Sequence, residues 1–117
     1  MNSNDILEYC LSKKGASESF PFDEETLVFK VGKKIFLLMS LEKIPLVINV
    51  KTNPEWSEEL RELYPQITGA FHMNKKHWNS VTIEGLKSKL IYELIDHSYD
   101  LVLKSLSQKD QREMMKD

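Results

Sequence analysis

The chain has 117 residues, a formal charge of −2, 41% hydrophobic and 29% charged residues. This fits one soluble domain and leaves little room for a second. Four Gly and four Pro are too few for a linker-rich chain, and apolar runs such as Ile35 to Met39 are too short to cross a membrane.

The first segment reads as a helix, with Ser3 or Asn4 as N-cap, Asp5 in the first turn and Gly15 as the stop. Ile6, Leu7, Cys10 and Leu11 make its apolar stripe. Phe20-Pro21-Phe22 reads as an extended connection, because Pro21 disfavours helix at Phe20. Three strands follow: Thr26 to Val31, Lys34 to Leu41 and Leu46 to Lys51. Gly32 supplies a tight turn between the first two. Their short connections predict an antiparallel meander.

Asn53 and Pro54 open a second helix, with Trp56, Leu60 and Leu63 on one face and Pro65 ending it. Ile67 to His72 and His77 to Ile83 read as two further strands. Residues 87–105 give the clearest helix, with Leu90, Ile91, Leu94, Ile95, Leu101 and Val102 on a broad apolar face. A short terminal helix starts near Ser107. The order α-β-β-β-α-β-β-α predicts an α+β domain, with helices flanking one face of an antiparallel sheet.

Charge alternates along the chain. Residues 1–25 carry −4, 26–51 carry +4, 52–71 carry −3, 72–90 carry +3 and 91–117 carry −2. The strands and turns hold most of the base, and the helices most of the acid. This predicts a positive open sheet face opposite an acidic helical face. The near-neutral total excludes a uniformly basic nucleic-acid coat but not a local patch. Lys30, Lys33, Lys34 and Lys51 are its strand-borne candidates, although exposed strand lysines also block edge-to-edge aggregation.

The stretch His72-Met73-Asn74-Lys75-Lys76-His77-Trp78 is the densest polar motif. A four-residue hairpin loop from Met73 to Lys76 would set His72 opposite His77, with Cβ atoms about 5 Å apart. The same register sets Phe71 opposite Trp78 on the other face. Three readings stay open. Asn74, Lys75, Lys76 and the His donors could hold phosphate. His72 and His77 could ligate a metal, but two ligands do not make a site. The motif could also be structural, with Trp78 in the core and the lysines solvated. Cys10, on an apolar stripe, reads as a buried small residue rather than a nucleophile. Asp23, Glu24 and Glu25 read as a solvated turn. There is no Walker loop, dinucleotide fingerprint or nucleophile elbow.

The sequence resembles the MmcQ/YjbR family of small bacterial proteins. The resemblance rests on Ile6 to Gly15, Phe20 to Asp23 and Leu27 to Val31 with the hairpin that follows. It continues through Lys51-Thr52-Asn53-Pro54, the His72–Trp78 stretch and Ser98 to Val102. It spans about residues 4–106, with 107–117 as a helical extension of a single domain. It implies a frataxin-like α+β fold and DNA binding through a double-wing arrangement of strands and hairpins. The acidic first helix of frataxins is not evident, since the first helix here carries only Asp5 and Glu8.

The combined expectation is a non-enzymatic DNA-binding domain without cofactor or metal. Its sites would be Lys30, Lys33, Lys34, Lys51, His72, Asn74, Lys75, Lys76 and His77. The alternative is a small-molecule or protein-binding module with a pocket near His72 and His77. The lone cysteine and the lack of a basic leader before an apolar stretch point to the cytoplasm, and a monomer is the favoured state.

Overall fold

The computed structural model describes residues 1–71 and 73–116. Asn2, rather than Ser3 or Asn4, caps the first helix, α1 (Ser3–Leu11). Its side chain accepts from the Asp5 N–H at 2.9 Å, and the Asp5 carboxylate accepts from the Asn2 N–H at 2.8 Å. This reciprocal pair satisfies two donors that a helix start leaves over.

The next element, β1 (Ala16–Ser19), is a strand the sequence reading missed. It pairs with β2 (Thr26–Val31), setting Ala16 opposite Val31 and Ser19 opposite Val28. There follow β3 (Lys34–Ser40), β4 (Val47–Lys51), α2 (Pro54–Leu63), β5 (Ile67–Gly69), β6 (Trp78–Thr82), α3 (Ser88–Ser105) and α4 (Gln108–Met114). The six strands form one antiparallel sheet in the order β1-β2-β3-β4-β6-β5. The α+β architecture is as expected, with one strand more. Gly32, at φ 61°, makes the tight β2–β3 turn in the left-handed region that glycine tolerates.

The core lies between one sheet face and the helices. Leu27, Phe29 and Val31 of β2, Leu37 and Met39 of β3, Ile48 and Val50 of β4 and Val81 of β6 face inward. They meet Ile6 and Cys10 of α1, Leu60 of α2, and Ile91, Leu94, Ile95, Tyr99 and Val102 of α3. On α2 the inward face differs from the expected one: Leu63 is 62% exposed, while Ser57 is buried beside Leu60. Tyr9 of α1 donates to the Asp96 carboxylate on α3, which also pairs with Lys13. Helix α4 folds back on the body, with Met114 against the core and Lys14 Nζ 2.6 Å from the Met115 carbonyl.

A bulge sets the alternation of the sheet. Phe29 pairs with Leu37 but Lys30 with Ile35, so Phe36 is the extra residue on β3. Phe36 and Leu37 therefore both reach full burial, and Ile35 joins Lys30 on the open face. A bulge leaves a carbonyl outside the ladder. Here the buried Ser98 hydroxyl of α3 donates to the Phe36 carbonyl, and its oxygen accepts from the Lys51 N–H at 2.8 Å.

Ser98→Ala would orphan both of those backbone groups. Each buried unsatisfied group costs about 1–3 kcal/mol, so a loss of about 3 kcal/mol is expected in urea denaturation.

Candidate nucleic-acid interface

The strand registers fix where each candidate lysine sits. Chain direction alternates, so the β2–β3 turn, the end of β4 and the β5–β6 connection all lie at the same end of the sheet. Lys30, Lys33, Lys34, Lys51, Lys75 and Lys76 all belong to that end. The opposite end holds Asp23, Glu24 and Glu25 of the β1–β2 connection, Glu42 and Lys43 after β3, and Glu84 and Lys87 after β6, while Glu55 and Glu58 at the start of α2 lie at the lysine end.

The expected positive open face is therefore corrected to a positive end. By alternation the open face presents Val28 and Lys30, then Ile35 and Leu38, then Val47, Asn49 and Lys51, then Trp78, Ser80 and Thr82. Only Lys30 and Lys51 among the strand lysines point onto it, and both are half-buried. Lys33 pairs with Asp110 of α4 at 3.6 Å. Lys34 Nζ lies 3.1 Å from the Ser105 carbonyl at the C-terminus of α3, where a cation suits the helix dipole. These two lysines fasten the terminal helices to the turn.

The motif loop also departs from its expected register. The Ala70 N–H donates to the Trp78 carbonyl at 3.0 Å, and Gly69 faces Asn79. The pairing is thus one residue off the expected one, and Trp78 has Ala70 and not Phe71 across from it. Phe71 swings out to 77% exposure, with Lys75 Nζ 5.5 Å from its ring centroid. His72 lies outside the described residues, so the His72–His77 pair is not described. Lys75 and Lys76 are exposed, as expected. Asn74 is also exposed, and it organises the loop. Its carbonyl accepts from His77 and Trp78 N–H at 3.1 and 2.8 Å, and its Oδ1 accepts from the Lys76 N–H at 3.0 Å. The half-buried His77 contributes its carbonyl, which accepts from the Thr52 N–H at 2.7 Å.

A polar thread that sequence reasoning missed holds this loop. Asn53 caps α2 by accepting from the Trp56 N–H at 2.8 Å, and its carbonyl accepts from the Ser57 hydroxyl. Ser57 meets the buried Thr52 hydroxyl, which accepts from Asn79 Nδ2 at 2.9 Å. Asn79 Oδ1 in turn accepts from Arg61 Nε at 2.9 Å, and the guanidinium donates onward to the Lys75 and Trp78 carbonyls. One planar fork thus binds two segments at once, which lysine could not do. The signal available was small: a single Arg on a helix otherwise charged by Glu, four residues after a Ser on its inward side.

His97 anchors the start of α2. Its Nε2 accepts from the Asn53 N–H at 3.2 Å, and its ring lies 4.7 Å from that of Trp56. Burial lowers its pKa from the ordinary histidine value, partly opposed by Asp100. Cys10 is fully buried and its thiol is pushed up to about 12, mainly by desolvation, so it is no nucleophile. Asp23 accepts from the Glu25 and Thr26 N–H groups at 2.8 and 2.7 Å, which hold its carboxyl below the usual range. Among the described residues, no three His, Cys, Asp or Glu side chains gather around a common point. No helix is long and apolar enough to cross a membrane.

Comparison with known proteins adds the following. A family model described as YjbR matches residues 11–101. The YbdF protein of Escherichia coli O157:H7 is 43% identical over 95 residues, covering 80% of this chain and 77% of its own. The YjbR protein of Escherichia coli K12 is 30% identical over 113 residues, covering 96% of each. A Deinococcus radiodurans crystal structure with the domain called DUF419 superposes with TM-score 0.89 at 39% identity, covering 95% of this chain and 86% of its own. A Pseudomonas syringae crystal structure gives 0.75 at 31% identity, covering 87% and 99%.

Arg61→Ala removes the fork that ties the loop to α2. It should destabilise the protein by about 2–3 kcal/mol and speed hydrogen exchange at Met73, His77 and Trp78 ahead of the α3 core; Arg61→Lys should not restore protection. For His97 the unfolded chain binds the proton more tightly. Its contribution is therefore complete above about pH 6.5 and is lost as pH falls through the lower folded value. Denaturation midpoints of the parent should fall between pH 7.5 and 5.5 by more than those of His97→Gln.

Proposed function

Since the chain belongs to the YjbR family and six of its lysines meet at one end of its sheet, we propose that it binds DNA there. The convergence is the observation that carries the reading. Lys30, Lys51, Lys75 and Lys76 come from three separate segments, and the strand registers bring them together without any local run of base. Lys33 and Lys34 are engaged with α4 and α3, so Lys30, Lys51, Lys75 and Lys76 are the phosphate ligands. Lys51 stands opposite Trp78 across the β4–β6 pair, and Lys75 lies against Phe71. An aromatic surface edged by ammonium groups suits a polyanion carrying flat bases.

The two hairpin connections at this end, the β2–β3 turn and the β5–β6 loop, act as the paired wings. The role is non-enzymatic, exercised by a monomer in the cytoplasm. The groove beside α2 is lined by Pro54, Ser57, Glu58, Arg61, Lys75 and Lys76, and Phe71 and Met73 belong to the lining of the one on the open face.

About four phosphate contacts imply a slope of roughly −3 to −4 in the logarithm of affinity against that of salt concentration. Lys75→Ala/Lys76→Ala should weaken duplex binding at low salt and flatten that slope by about 2, with the melting temperature unchanged. Fluorescence polarisation reads both. Unchanged binding would remove the site, and no binding by the parent at low salt would remove the function.

A further inference from the structure

A groove of about 450 Å³ runs across the open face, beside the lysines but separate from them. Its floor is Ile35 and Leu38 of β3 with Val47 of β4. Phe22 enters from the β1–β2 connection, and Phe71 and Met73 from the β5–β6 loop. These connections belong to opposite edges of the sheet, yet their side chains line one groove. Phe22 is 65% and Phe71 77% exposed, so both phenyl groups present apolar surface to whatever enters the groove.

The polar lining falls in two parts: Asp23, Thr26, Ser40 and Lys43 toward the β1–β2 connection, and Asn49 and Ser80 on the floor. Ser80 Oγ donates to Asn49 Oδ1 at 3.0 Å. Asn49 Nδ2 is directed at the thioether of Met73, 3.9 Å away. A thioether is a weak acceptor, so a carbonyl oxygen entering the groove would be the better partner for that amide. Away from the polar end at Asp23 and Lys43, the groove offers an apolar floor, aromatic walls and the Asn49 amide as a donor. That is the complement of a flat heterocycle with a keto group on its edge.

The charges give the orientation. Lys30 lies directly opposite Ile35, and Lys51 lies two residues beyond Asn49 on β4. Two strand residues span about 6.7 Å. A base over Leu38 and Asn49 would thus leave its phosphate within reach of Lys30 and Lys51. At the other end Asp23 and Lys43 offset each other, whereas Lys30 and Lys51 stand together without a carboxylate in the groove lining beside them.

We infer that the open-face groove seats one unpaired nucleobase between Phe22 and Phe71, so that the protein prefers single-stranded to duplex DNA. The inference rests on the DNA-binding reading and adds what that reading leaves open. A paired base presents its edges to its partner and its faces to its neighbours, so only an unpaired one can enter.

The test is a fluorescence-anisotropy titration at low salt with three probes of equal length: oligothymidylate, a duplex and an abasic strand. The parent should bind oligothymidylate about tenfold tighter than either of the others. Phe22→Ala and Phe71→Ala, at exposed positions that leave the fold intact by circular dichroism, should each weaken oligothymidylate binding about tenfold, and Phe22→Ala should leave duplex binding unchanged. Lys75→Ala/Lys76→Ala should weaken all three. Equal binding of abasic strand and oligothymidylate, or phenylalanine variants that bind like the parent, would overturn the base seat while the DNA reading stands. Failure of every probe to bind the parent would overturn the DNA reading and this inference with it.

Discussion

Ser98 stands where the sheet changes its alternation, and the placement of the candidate site depends on what its hydroxyl does there. The bulge at Phe36 lets β3 bury two consecutive side chains and then return to register. Without a donor for the displaced carbonyl, a fully buried peptide group would go unpaired, and the regular ladder would be preferred. In that ladder the β3 side chains on one side of Phe36 would exchange faces. Ile35 would no longer lie beside Lys30 on the open side. The same oxygen accepts from the Lys51 amide. One small polar residue of the core helix thus places both lysines that look onto the open face.

The polar thread from Asn53 to Arg61 does related work at the other flank. Helix α2 meets the core through Leu60 and Trp56, while Leu63 points away and Ser57 takes an inward position. Hydrogen bonds replace part of the missing packing. Fully satisfied, such a network fixes one geometry where an apolar contact would tolerate several. It ends on two carbonyls of the β5–β6 loop, so the position of α2 and that of Lys75 are set together.

Much of this fold was legible in the sequence because local signals agreed with the tertiary outcome. Thr26 to Val31 alternates cleanly, Asn53-Pro54 is a strong helix start, and residues 88–105 carry a wide apolar face. What escaped notice depends on partners distant in sequence. Ala16 to Ser19 has no β-branched or aromatic residue, and its strand conformation comes from lying along β2. The register of Phe71 and Trp78 is fixed by turn hydrogen bonds around Asn74, and one residue's difference moves every side chain to the other face. The lysines are gathered differently from the expectation. A count by segment records which strand carries a charge, whereas strand direction decides at which end it emerges. Arg61 went unnoticed because its partners lie 14 to 18 residues away on another element.

The gathering of six lysines at one end of the sheet has a further consequence. The body is about 39 Å long and its net charge is only −2. At 0.1 M salt the field of each end decays over about 10 Å, well short of the length of the molecule. A charged group near that end therefore senses the lysines there more than the total charge. The local arrangement, and not the sum of −2, sets the potential at that surface.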